Sequence, residues 1–384
     1  MATEAITPFQ VRISEAEIAE LRRRLAATRW PDAETAADWG QGMPLAYLRE
    51  VCSYWAESYD MRRIEHALNA LPQFRTVIDG LGIHFIHARS PHPQALALLM
   101  THGWPGSVIE FLETIGPLVD PVAYGGDAAD AFHVICPALP GYGFSDKPKE
   151  TGWTVERIGR AWSELMRRLG HASYVAQGGD WGAMVTLALA QMDGVHCRGI
   201  HLNMAIAQPD PDTFAELTPA EQKSLADMQH YQDLESGYAK QQGTRPQTLG
   251  YGLADSPAAQ AAWIIEKFRA WTDCGEGAAA HPERALSRDQ MLDNVMMYWL
   301  TNSAASSARL YWESMKTPDM APLGLPVGIS IFPREILRPS RRWAERRFSR
   351  IVHWNELERG GHFAAFEQPV MFVGELRDCF RQMR

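Results

Sequence analysis

The chain has 384 residues, more than one average domain but suited to a large α/β domain that carries an insertion. Hydrophobic residues make up 46% and charged residues 22%, an ordinary balance for a soluble globular enzyme. A net charge of −9 argues against nucleic acid or anionic membrane as partner.

Five cysteines, Cys52, Cys136, Cys197, Cys274 and Cys379, are scattered and odd in number. That pattern disfavours a disulfide framework and a zinc site, and a reducing compartment is the default. Met1-Ala2-Thr3-Glu4-Ala5 has neither a basic n-region nor an apolar run, and no stretch is long enough to span a bilayer. The expectation is a soluble, cytoplasmic protein without repeats.

The first seventy residues read as amphipathic helices. Ser14 and Glu17 have the spacing of a capping box, Ile13 and Ile18 that of a hydrophobic staple, and Ile18, Leu21 and Leu25 share one face. Pro31 closes that helix, because the residue before a proline is driven away from helical geometry. Further helices are predicted from Leu45 to Tyr59 and near Arg62 to Leu71.

β-Prone runs follow at Phe74–Asp79, Ile83–Ala88, Ala95–Met100, Phe132–Cys136, Tyr174–Ala176 and Gly199–Leu202. The glycines at 80 and 82 mark a hairpin between the first two. Helical patterns between the later ones, notably Val155–Leu169, predict a mostly parallel, doubly wound sheet. Pro137–Ser145 starts like a dinucleotide loop but lacks its third glycine, and reads better as a rigid loop at the sheet's carboxyl edge.

Two stretches in this region carry chemistry. His102-Gly103-Trp104-Pro105 follows a strand and precedes a helix. It is either an ordinary tight turn or the place where such folds build half of an oxyanion hole from a backbone N–H. Gly178-Gly179-Asp180-Trp181-Gly182 has the small-x-nucleophile-x-small spacing of a strand-to-helix elbow. Asp180 then either caps the helix or serves as nucleophile. A carboxylate is already an anion, so it suits attack on saturated carbon, as in opening an epoxide or expelling a halide.

From about Pro209 to Pro322 strands give way to helix-forming, Met- and Trp-rich sequence, an insertion expected to cover the elbow. Val327–Glu335 reads as a buried strand ending in a carboxylate. Arg341–Phe348 is a predicted helix, Ile351–Trp354 the eighth strand, and Phe372–Met383 the closing helix. His362 follows two glycines on a loop, so nucleophile, acid and histidine occur in the order that this fold class uses. Glu356, Glu358 and Glu367 lie nearer His362 in sequence than Glu335 does.

His102-Gly103-Trp104-Pro105, Gly179-Asp180-Trp181-Gly182, Phe332-Pro333-Arg334-Glu335 and Gly360-Gly361-His362-Phe363-Ala364-Ala365 together resemble the microsomal-type epoxide hydrolases. That branch of the α/β-hydrolases includes juvenile hormone epoxide hydrolases and bacterial and fungal members. The similarity runs nearly end to end, with one departure: the microsomal enzyme begins with a membrane anchor, and this chain begins with the soluble N-terminal region.

The resemblance implies an eight-stranded, mostly parallel sheet with a helical lid after strand six. It divides the chain into an N-terminal meander (1–73) packing on lid and core, a first core part (74–208), a lid (209–322) and a second core part (323–384). It implies Asp180 as nucleophile, Glu335 and His362 as its acid–base partners, and the amides of Trp104 and Trp181 as oxyanion hole. It further implies that Tyr238 and Tyr311 hold and protonate an epoxide oxygen, with Trp104 and Trp181 also lining the substrate site. Without the resemblance each tyrosine reads as a buried aromatic, and Tyr231, Tyr251 and Tyr298 compete. The expected partner is a small-molecule epoxide, with no cofactor and no metal; a homodimer stays open. Detoxification, catabolism and natural-product tailoring are the roles known in such a family. A haloalkane dehalogenase-like hydrolase and a non-catalytic ligand-binding relative are the rivals.

Overall fold

A computed structural model describes residues 4–315 and 320–384. Among the described residues nine strands form one sheet: β1 (Thr7–Phe9), β2 (Gln73–Ile78), β3 (Leu81–Ala88), β4 (Leu96–Thr101), β5 (Phe132–Pro137), β6 (Tyr174–Gly178), β7 (Cys197–Leu202), β8 (Val327–Ile331) and β9 (Ile351–Glu356). Their spatial order is β1-β2-β3-β5-β4-β6-β7-β8-β9. The first four in that order pair antiparallel, and from β5 onward every pairing is parallel. The parallel strands other than β9 at the edge are buried on both faces, as their near-continuous apolar runs require.

Two expectations change. The sheet has nine strands instead of eight, because Thr7–Phe9 pairs with Gln73–Arg75 at the edge. A three-residue strand with no alternating pattern of its own owes its existence to that pairing. Glu335 also does not end a strand. β8 stops at Ile331, and Pro333, which has no N–H for a ladder, turns the chain so that Glu335 lies on the following loop.

The β2–β3 turn is only Asp79 and Gly80, both left-handed (φ 53° and 77°), the geometry of a two-residue hairpin loop. Leu81 and Gly82 join β3. The helix at Arg341 is shorter than expected, ending at Glu345, because Phe348 bridges Leu323 instead of continuing the helix. The closing helix is Pro369–Arg381 with proline in its first turn, where no donor is needed.

In the N-terminal region the Ser14–Glu17 capping box forms reciprocally, and Ile18, Leu21 and Leu25 are buried. Helices Leu45–Glu57 and Arg63–Asn69 reach across to the lid helix Arg288–Leu300. Tyr54 donates to Asp289 (2.7 Å), and Tyr59 and Arg63 both donate to Asp293 (2.7 and 2.8 Å). Burial pushes the Asp293 carboxyl up to about 6 despite those donors. Among the described residues, the lid also contains helices Pro219–His230, Gly237–Thr244, Pro246–Asp255, Pro257–Trp271 and Ala304–Ser314. No helix of the described residues is long and apolar enough to cross a membrane.

Candidate active site

The carboxyl ends of β4, β6 and β8, with the loop after β9, converge beneath the lid. This is the edge where open α/β sheets bind ligands. Asp180 follows β6 with φ 51°, a left-handed conformation that is uncommon for any residue other than glycine.

The glycines around it have a steric cause. A Cβ on Gly178 would lie 2.1 Å from the Gly182 carbonyl oxygen, and one on Gly182 would lie 1.9 Å from that of Thr101. Helix Asp180–Met192 therefore packs backbone against backbone with β4 and β6. Asp180 does not cap this helix. Its Oδ1 accepts from the Trp104 N–H (2.8 Å), and a Cβ on Gly103 would meet the carboxylate. The Trp181 N–H belongs to the helix's first turn, where amides have no intrahelical acceptor.

His102 is structural. Its Nε2 accepts from the Leu139 N–H (3.2 Å), which leaves Nδ1–H to donate to the Gly103 carbonyl (3.0 Å). Burial lowers its pKa to about 4, so the ring is neutral and braces the loop that carries Trp104.

His362 is delivered by its two glycines. Gly360 is left-handed (φ 101°), and a Cβ on Gly361 would sit 2.4 Å from the Trp271 carbonyl oxygen. That carbonyl also accepts from the His362 N–H. The imidazole Nδ1 lies 2.6 Å from Glu335 Oε1, and Nε2 lies 3.3 Å from Asp180 Oδ2. Glu335, not its rivals, sits at the ring. Glu367 instead accepts the Asp273 and Phe363 amides. Burial works against charging His362, but the two carboxylates outweigh it and hold the imidazole's pKa well above the usual 6.5.

Two cavities meet at Asp180. One, of about 240 Å³, is walled by Met184, Met204, Ile206, Met315, Ile336 and Leu337, with Trp181, Tyr231, Tyr238 and Tyr311. The other, of about 20 Å³, is room for one water, and Glu110, Gln177, Asn203 and His362 border it. Desolvation raises the Glu110 carboxyl to about 8.

Tyr238 and Tyr311 are both buried, with ring centroids 5.8 Å apart. Tyr238 stacks on Trp104 (4.9 Å, 10°), while Tyr311 stands edge-on to Trp181 (4.8 Å, 81°). Desolvation pushes both phenols well above the usual 10, with neighbouring phenols and Asp180 adding to it. The Tyr311 hydroxyl has no hydrogen-bond partner among the described residues.

Of the competitors, Tyr251 is exposed and Tyr298 donates to the Gly106 carbonyl. Tyr231 does reach the cavity, its hydroxyl 2.9 Å from that of Tyr238. Sequence spacing hid that contact, since Tyr231 lies on a five-residue π-helical turn that shifts the face of the preceding helix. Glu110, Gln177 and Asn203 carried no motif. Among the described residues no group of three or more His, Cys, Asp or Glu side chains is placed to hold a metal ion.

Comparison with known proteins agrees with this architecture. The family model described as "Epoxide hydrolase N terminus" matches residues 6–111, and that described as "alpha/beta hydrolase fold" matches 97–248. A Stigmatella aurantiaca protein provisionally named an epoxide hydrolase is 56% identical over 99% of the chain and 86% of its own length. Epoxide hydrolase 1 of Sus scrofa is 35% identical, covering 97% of this chain and 88% of its own. The crystal structure of juvenile hormone epoxide hydrolase from Bombyx mori superposes with a TM-score of 0.91 at 31% identity, over 100% of this chain and 96% of that one.

Proposed function

Because the chain belongs to the epoxide hydrolases of the α/β-hydrolase fold, we propose that it converts an epoxide to a vicinal diol through an ester on Asp180. The observation that carries this reading is the position of Asp180 between an apolar cavity bearing phenols and a polar chamber bordered by His362.

The substrate occupies the apolar cavity with its oxygen towards Tyr238 and Tyr311. Their raised pKa values keep both phenols protonated, so they donate to the epoxide oxygen and give it a proton as the ring opens. Asp180 Oδ2 attacks the carbon from the opposite side, while Oδ1, held by the Trp104 amide, becomes the ester carbonyl oxygen.

Ester formation then changes His362. It removes the Asp180 charge, one of the two that hold the imidazole protonated, so the ring can give up its proton, which makes good the one the phenol gave to the epoxide oxygen, and act as base. Glu335 keeps the ring oriented through Nδ1. Water in the small chamber loses a proton to Nε2 and attacks the ester carbonyl. The amides of Trp104 and Trp181 receive the oxyanion; on its collapse the alkoxy group takes the second proton of the attacking water and leaves as the diol, restoring the Asp180 carboxylate. General acid–base help of this kind contributes roughly 10²–10⁴ in rate.

The cavity wall of three methionines and branched aliphatics favours an epoxide with an apolar, adaptable body. Detoxification, catabolism and natural-product tailoring all use such substrates. Five free, buried cysteines fit a cytoplasmic setting. Incubation with a styrene-type epoxide should yield the vicinal diol, and haloalkanes should release no halide. Halide release without diol formation would replace this reading with a dehalogenase.

A further inference from the structure

Lys267 is 5% exposed, on the lid helix Pro257–Trp271, and no step above uses it. Its ammonium lies over the Tyr238 ring, 4.8 Å from the centroid, and 5.5 Å from that of Trp271. Burying an ammonium is costly, and an apolar side chain would fill the same space without that cost. Glu266 pairs with it at 2.6 Å and Glu235 lies at 3.9 Å.

We propose that Lys267 is a positioning residue for Tyr238, its cation stabilising the negative charge that the phenol ring gains as it protonates the epoxide oxygen. The inference rests on the reading of Tyr238 as an acid. A cation is attracted to the electron-rich face of a neutral ring, and more strongly as that ring turns phenolate-like. The attraction is therefore greater in the transition state than in the ground state, which is the condition for raising a rate. Of the other groups around the phenol, most oppose ionisation, and only the Tyr311 hydroxyl favours it. Asp180 and the Tyr231 hydroxyl both push its pKa up, on top of desolvation, and Trp104 adds only a neutral stacked face. His230, 3.9 Å from Glu235, is the further titratable neighbour on this side.

The test is a double-mutant cycle read by rapid mixing with a styrene-type epoxide, following ester formation and ester hydrolysis separately. Lys267→Met should slow ester formation about tenfold in the presence of Tyr238, and leave it unchanged in a Tyr238→Phe background. Ester hydrolysis should stay at the wild-type rate, and Lys267→Arg should restore most of the loss. Should the Met variant not fold, Lys267→Gln, which can still donate to Glu266, carries the same expectation. Wild-type ester formation in the Met or Gln variant, or an equal loss in both backgrounds, overturns the role of Lys267. If Tyr238→Phe alone forms ester at the wild-type rate, the acid assignment fails instead.

Discussion

His362 faces Asp180 through Nε2 at 3.3 Å while Glu335 holds its Nδ1 at 2.6 Å. The ring is thus clamped between two carboxylates, and only one of them is consumed as a charge when an ester forms. In the proposed mechanism this asymmetry makes one imidazole an ion-pair partner in the resting enzyme and a base in the intermediate.

That relationship is testable by titration. The His362 imidazole should remain protonated through neutral pH in the free enzyme, and Asp180→Asn should bring its pKa down. Low-field proton NMR of the Nδ1–H bonded to Glu335 reports both. The same charge stabilises the fold. Because the folded pKa is raised, that contribution is fully present below the usual 6.5 and lost as pH rises through the higher folded value. An imidazole that titrates near 6.5 in both proteins refutes the clamp.

Asp180→Ala should abolish turnover with little loss of secondary structure. In wild-type enzyme, one turnover in heavy-oxygen water should leave label on the Asp180 carboxylate, because water attacks the ester carbonyl. Label found only in the diol would mean direct hydrolysis.

With His362→Gln, ester formation should persist while its hydrolysis slows by a factor of roughly 10² or more. The alkylated protein should then accumulate, and intact-protein mass spectrometry would show the added substrate mass. A normal steady-state rate without any adduct removes His362 from the mechanism.

Tyr238→Phe and Tyr311→Phe should each slow ester formation and keep some activity, whereas the double variant should lose far more. Tyr231→Phe, which removes only the 2.9 Å partner of Tyr238, should have a smaller effect than either. Trp181 fluorescence after rapid mixing follows the step. If the double variant alkylates at the wild-type rate, the proton comes from elsewhere.

Gly182→Ala should destabilise the protein by at least about 1–3 kcal/mol, since its Cβ would lie 1.9 Å from the Thr101 carbonyl oxygen. Chemical denaturation should show a lower midpoint. An unchanged midpoint would mean that β4 and the elbow helix can separate freely.

What the sequence made legible follows from how local each cause is. The elbow was readable because crowding at Gly178 and Gly182 forbids a side chain, and His362 because Gly360 and Gly361 permit an otherwise closed turn. The eight longer strands announced themselves by apolar runs. β1 did not, because only the edge of β2 makes it a strand. The place of Glu335 was misread by one loop, since the apolar run ends before Pro333 rather than at the carboxylate. Tyr231 against Tyr238, and Lys267 over the same ring, depend on how lid helices cross, which no local pattern encodes.

The ties from Tyr54, Tyr59 and Arg63 to Asp289 and Asp293 bear on traffic. The helix that carries those aspartates is stitched to the N-terminal region, which is itself stitched to the sheet through β1. These bonds fasten the inserted helices at that one flank. Away from that flank the apolar cavity is bordered by Tyr231, half-buried, and Met315, 48% exposed. Under the proposed function, the girth of a substrate that can pass these two side chains limits which carbons reach Asp180.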